Sequence, residues 1–182
     1  MINKILKELE KFGFLKFEGS KIDNIEQKIK MLENQYNFEF PEIYKNFLLN
    51  FGSTIYLEIE AYYQPVQKSP WTPKNGLHAI YIFYGFEEDE NNLIKIRNGY
   101  QDEIFNNVFP IADGNGGNEI CIGVKGDFLG KIYFWDHESE ENSESLYLIS
   151  NDFASFINEL IMIEDEDDDS DLDGVTLSLP DL

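Results

Sequence analysis

Four clusters in this sequence combine residue types that could do chemistry. Asp113-Gly114-Asn115-Gly116-Gly117-Asn118 is rich in glycine, and glycine-rich loops can cradle phosphate with their backbone N–H groups. Its spacing matches neither the dinucleotide fingerprint nor the P-loop, and no Lys-Ser/Thr follows, so it reads as a tight turn between strands. Asp136-His137-Glu138 has the residue types of a metal ligand set or a general base. The only other histidine, His78, is distant in sequence and no spaced ligand set accompanies the triplet, so a polar strand end is the stronger reading. Cys121 stands between Ile120 and Ile122 in an apolar run and is expected to be a buried thiol rather than a nucleophile. Asp169, Asp171 and Asp173, followed by Gly174, match the first half of a calcium loop. The twelfth position is Pro180, where such a loop needs a bidentate Glu, and no helix pattern follows. Those three aspartates are a secondary metal candidate beside the plainer reading of an acidic tail. No catalytic residue, cofactor or resident metal is expected from these clusters.

The elements that would position these residues are legible from period and punctuation. Val108–Ala112, Ile120–Val124 and Lys131–Trp135 are short apolar runs separated by Gly/Asn/Asp clusters, the pattern of consecutive antiparallel strands. Alternation predicts Ile120, Ile122 and Val124 on one face and Cys121 and Gly123 on the other. Upstream, Ile2, Ile5, Leu6 and Leu9 predict a short helix. Ser20 and Asp23 form a capping-box signal before the amphipathic run Ile22, Ile25, Ile29, Leu32 and Tyr36. Pro41 suits a helix start, Ile43, Tyr44, Phe47, Leu48 and Phe51 form a buried stripe, and Gly52 supplies the stop. The period then changes to two: Ile55, Leu57, Ile59 and Ala61 are predicted to share a buried face. Residues 62–76, with Pro65, Pro70, Pro73 and Trp71, read as an irregular loop, 79–84 as a central strand, and Leu93, Arg97, Tyr100 and Ile104 as a short helix. Asp136–Glu144, with five acids, is expected to be a solvated loop. A last strand over 145–149 precedes a helix capped by Ser150 or Asn151, with the stripe Phe153, Phe156, Ile157, Leu160 and Ile161.

At 182 residues with a 42% hydrophobic share, the chain has enough apolar material for one domain with a sizeable core. The boundaries expected are 1–163 for the domain and 164–182 for a flexible acidic tail, because Glu164–Asp173 holds eight acids in ten positions and no base. The formal net charge of −21 argues against a nucleic-acid or anionic-membrane binder, since both ligands call for a basic surface. The N-terminus lacks the uninterrupted apolar stretch of a signal peptide, no run approaches a membrane span, and one cysteine can form no internal disulfide; a cytoplasmic protein is the expectation.

Two stretches carry a resemblance. Asn37–Gly52, with Pro41, Tyr44, Phe47, Leu48 and Gly52, resembles the signature second helix of the SUKH superfamily (the Smi/Knr family). Phe109–Glu138 is similar to that family's strand, glycine-rich turn, strand, and further strand ending in a Trp-x-His-like signature, here Pro110-Ile111-Ala112, Asp113–Asn118 and Phe134-Trp135-Asp136-His137-Glu138. Ser53 and Gly123 stand where many members carry Gly and Asp. The resemblance implies an α+β fold: a mostly antiparallel sheet flanked by N-terminal helices and a C-terminal helix. It also implies a role without turnover. Bacterial members bind a co-encoded toxin, often a nuclease, and block it; eukaryotic relatives act as interaction hubs.

Charge and resemblance point the same way. A nuclease must bind phosphate and so tends to present a basic surface, toward which a strongly acidic inhibitor is steered. The expected function is an immunity protein that occludes a cognate basic toxin, with a regulatory scaffold as the alternative. The expected contacts are acids on two loops: Glu87, Glu88, Asp89 and Glu90, and Glu138, Glu140 and Glu141, each of which also reads as part of a solvated loop.

Overall fold

The computed structural model of the chain describes residues 2–15, 22–100, 103–139 and 144–163. The proposed cap Ser20, Glu140, Glu141, the aspartates 169, 171 and 173 and the whole of 164–182 lie outside the described residues. Helix α1 (Ile2–Glu10) leads into a two-residue strand β1 (Phe14–Leu15). Helices α2 (Ile25–Tyr36) and α3 (Glu42–Phe51) follow, then strands β2 (Ile55–Tyr63) and β3 (His78–Phe83). Helix α4 (Leu93–Tyr100) precedes β4 (Val108–Asp113), β5 (Glu119–Gly123), β6 (Ile132–Trp135) and β7 (Leu146–Ser150), and α5 (Phe153–Asn158) closes the described fold. The strands make one seven-stranded antiparallel sheet in which spatial order equals chain order. Short antiparallel connections need no crossover, so this arrangement is the topologically simplest for such a run of strands. The fold is α+β, as the strand and helix patterns predict.

The main core lies between one face of the sheet and α1, α2, α3 and α5. Tyr44, Phe47, Leu48 and Phe51, one stripe of α3, are all buried. Rings pack edge to face across the layers: Tyr44 lies 5.2 Å and Phe47 5.0 Å from Phe153 of α5, and Phe40 lies 5.0 Å from Phe109 of β4. Gly52 ends α3 at φ +61°, and a Cβ there would stand 2.2 Å from Ile25 Cδ1, so both conformation and space require glycine. A second, smaller core lies on the opposite face, where Tyr100, Ile104, Phe105 and Phe128 cover Val108, Cys121, Tyr133, Trp135 and Leu146. Covered on both sides, β5 and β6 are buried at every position. Ile120, Ile122 and Val124 enter the main core and Cys121 the smaller one, the division that alternation predicts.

The sheet curls. Beyond β2 the chain crosses to β7, where the N–H of Gln67 donates to Leu148 O at 2.8 Å, and Tyr62 bridges Ile161. This curl accounts for several departures from simple period. Residues Tyr56 to Ala61 of β2 oppose only Ile82 to Ile80 of β3, a bulge that leaves Ile59 48% exposed instead of buried with Leu57 and Ala61. The bulged backbone pairs with the turn before β1, Glu58 N–H to Gly13 O and Ile59 N–H to Phe12 O. Ile161 leaves the helical stripe, because α5 stops at Asn158 and the following residues pair as strand. The cap of α5 is Asp152 rather than Ser150 or Asn151: its carboxylate accepts from Ser155 N at 2.8 Å and from the Ser155 hydroxyl. Asp136, assigned from sequence to a solvated loop, is buried and accepts the backbone N–H of Glu138.

Candidate partner-binding surface

The first acidic loop follows β3. Its backbone is held by Tyr84 N–H to Ile111 O, Phe86 N–H to Gly52 O and Leu93 N–H to Gly85 O, and the buried ring of Phe86 anchors it. Asn92 closes the loop and starts α4: its amide donates to Glu87 O and its side-chain oxygen accepts from Ile94 N and Lys95 N. Within this frame the four acids part company. Glu87 turns inward and accepts the backbone N–H of Thr54. Asp89 accepts from Asn91 N at 2.9 Å and stands 3.4 Å from the Tyr56 hydroxyl. Glu88 and Glu90 are exposed, Glu88 at 3.9 Å from the Lys95 ammonium. Two of the four are thus occupied in shaping the loop, and two project.

The second loop begins where β6 ends. His137 sits on the glycine-rich turn. Its backbone N–H and Nδ1 both face Asn118 Oδ1, at 3.2 and 3.0 Å, and its ring covers Gly117. Gly117 has φ +84°, a conformation that favours glycine, and a Cβ there would stand 2.9 Å from His137 Cε1 and push the imidazole aside. The turn connects β4 to β5, closed by Gly114 N–H to Asn118 O, and its backbone is committed to that connection. Glu138 is exposed. Among the described residues, no three His, Cys, Asp or Glu side chains converge as a metal site would require.

The two loops lie at opposite ends of the sheet. Phe83 of β3 pairs with Ala112, whose partner Ile120 pairs with Phe134 of β6, so these residues share one row across the sheet. Strands β3 and β6 run in opposite directions, so the chain leaves that row toward Glu87–Glu90 at one end and toward Glu138 at the other. Glu88 and Glu90 on one side and Glu138 on the other therefore belong to separate surfaces, joined by whatever the intervening strands present.

Glu119 lies between those ends. It is buried, and its carboxylate accepts from the Tyr84 hydroxyl at 2.8 Å and the Tyr100 hydroxyl at 2.6 Å. Burial pushes its pKa up to about 8; the two tyrosine hydrogen bonds oppose that and Asp113 reinforces it. At 3% exposure it is closed to a substrate, and its hydrogen bonds tie α4 to the sheet. Burial likewise pushes the Cys121 thiol up, consistent with an inert core cysteine.

Residues 25–159, from the first residue of α2 to the residue after α5, match the SMI1 / KNR4 family (SUKH-1). The chain belongs to that family. The matched segment contains both stretches on which the resemblance rests, the buried stripe of α3 and the strands β4–β6 with their glycine turn. This SUKH-1 chain is also 35% identical over 161 residues to the SPbeta prophage-derived uncharacterized protein YokK of Bacillus subtilis (strain 168), covering 84% of this chain and 82% of that protein. Among the described residues of the SUKH-1 chain, no helix is long and apolar enough to cross a membrane.

Sequence reasoning passed over Glu60, Tyr62, Tyr81 and Trp71 as site residues. The Tyr62 hydroxyl donates to the Glu60 carboxylate, and that carboxylate raises the pKa of the nearby Tyr81 phenol. Tyr62 also lines a cleft of about 370 Å³, walled by Trp71, Leu77, Ala79, Asn115 and Phe134. The one signal available beforehand was the absence of any Lys or Arg between Lys45 and Lys68, between Lys74 and Lys95, and between Arg97 and Lys125.

Proposed function

We propose that this SUKH-1 protein is an immunity protein that binds a cognate, basic toxin and blocks it by steric and electrostatic occlusion, without turnover. Membership of the family is the observation that carries the reading. The prophage origin named for its relative fits a mobile toxin–immunity setting. The net charge of −21 suits a partner whose own ligand is anionic, and it disfavours direct binding of nucleic acid or an anionic membrane. The protein works in the cytoplasm, where such a toxin would act, and needs no cofactor. Exposed Glu88, Glu90 and Glu138 are the contacts on the described loops, with Glu140 and Glu141 continuing the second loop in sequence.

Co-expression with the toxin-like product of a neighbouring gene tests this. Growth restored, with the two chains co-purifying, is the expected result. Failure on both counts removes the toxin and favours the second reading, a non-enzymatic regulatory scaffold of the same family.

A further inference from the structure

Helix α4 and the segment after it cover the outer face of β4–β7 but leave β2 and β3 open. Tyr81 is 42% exposed although it sits in a wholly apolar run, and Tyr56, Glu60, Tyr62 and Ala79 are half-buried. The centre of this region is the Glu60 carboxylate, which accepts from the Tyr62 hydroxyl and whose charge also acts on the neighbouring Tyr81 phenol, holding its pKa up. Glu60 makes no ion pair among the described residues, and β2, β3, β4 and β5 contain no Lys or Arg. From Tyr62 the surface continues into the cleft whose outer wall is Trp71, itself 48% exposed.

A held carboxylate beside tyrosine rings, with an exposed tryptophan farther along the adjoining cleft, is matched by a guanidinium. Its planar fork pairs with the carboxylate, and its faces stack on the rings. The chain already uses half of this chemistry internally, where the Arg97 guanidinium lies 4.5 Å from the centre of the Tyr36 ring. Tyrosine and tryptophan are also the residues on which binding energy concentrates at protein interfaces, whereas exposed rim acids act mainly on the rate of encounter. Resting on the immunity reading above, we propose that the β2–β3 surface, centred on Glu60 with Tyr62, Tyr81 and Trp71, anchors an arginine side chain of the basic partner protein. Glu88 and Glu90 steer the partner toward it.

The test is amide-shift mapping of the whole chain by NMR during titration with the peptide Gly-Arg-Gly-Arg-Gly-Arg-Gly at low salt. Its lysine counterpart is titrated in parallel. The largest shifts are expected at Glu60, Tyr62, Ala79 and Tyr81 and at the Trp71 indole, a probe distinguishable from the buried Trp135. Glu60→Gln combined with Tyr81→Ala should weaken the arginine peptide about tenfold, and Glu88→Gln combined with Glu90→Gln less than threefold. Tyr81→Ala alone, at an exposed position, serves if the pair fails to fold. Larger shifts at Glu88, Glu90 and Glu138, equal losses in the two pairs, or equal binding of the lysine peptide would each overturn the assignment. A neutralised toxin with no peptide at this surface leaves immunity standing and removes the anchor. A peptide lodged here with no toxin neutralised keeps the anchor and removes the toxin.

Discussion

Glu119 is a chemically unusual side chain that the fold shuts away from solvent. Its carboxyl has an ordinary pKa of 4.5, raised by burial to about 8 in the fold. An acid with a higher folded than unfolded pKa binds its proton more tightly when folded. Its ionisation therefore costs stability progressively as pH rises from about 4.5 to 8. Glu119→Gln imitates the neutral acid and keeps an oxygen to accept from Tyr84 or Tyr100. Thermal melts of the variant and the parent should coincide near pH 5, with the variant several degrees more stable at pH 8 to 9. Parallel curves across that range would show that the carboxyl is not the group responsible.

The secondary elements divide by how they are held. Helix α3 is secured by four buried aromatic and leucine side chains, whereas α5 has six residues and depends more on its first turn. An isolated helix that short is not stable, so its cap and its packing must supply the difference. Asp152→Ala removes the acceptor for Ser155 N and should cost about 1 kcal/mol, read as a lower urea midpoint at unchanged slope. Phe153 and Phe156 stay packed on α3 and β3, so the loss should remain that of a cap and not of the core. Strand β2 is held from both sides, by β3 and by the turn before β1, and its bulge is the consequence. That bulge turns Ile59 outward and leaves Glu60 beside Tyr62, whose hydroxyl it accepts from.

Taken as a whole, the proposed binding mode of the protein separates long-range from short-range recognition. Its charge acts over roughly a Debye length, about 10 Å at 0.1 M salt, and speeds encounter with a cationic partner. Reversing Glu88 and Glu90 to Lys should lower the association rate several-fold at low salt and flatten its salt dependence. The dissociation rate should change little, as measured by stopped-flow or surface plasmon resonance against the neutralised toxin. An unchanged association rate would show that this loop does not steer. Glu87 is a poor choice for the same test, because its carboxylate holds the Thr54 backbone and its loss would disturb the loop itself.

The α+β class, the order of strands and helices, the aromatic stripe of α3 and the two-sided burial around Cys121 follow from local period and turn chemistry, and a reader of the chain alone can recover them. Local signals suffice there because neighbouring elements in the chain are neighbours in space. The family was readable for the same reason, since its signature residues are those that build α3 and the β4–β6 turns. Contacts far apart in sequence were not readable. Glu87 and Glu88 are adjacent acids, yet one is bound to Thr54 and the other exposed, and the two acidic loops stand at opposite ends of the sheet. Glu119 is buried where Tyr84, just past β3, and Tyr100 of α4 donate to its carboxylate from 35 and 19 residues away. The grouping of Glu60, Tyr62, Tyr81 and Trp71 arises from a bulge and a curl, which depend on how non-neighbouring segments pack and leave no periodic trace in the chain.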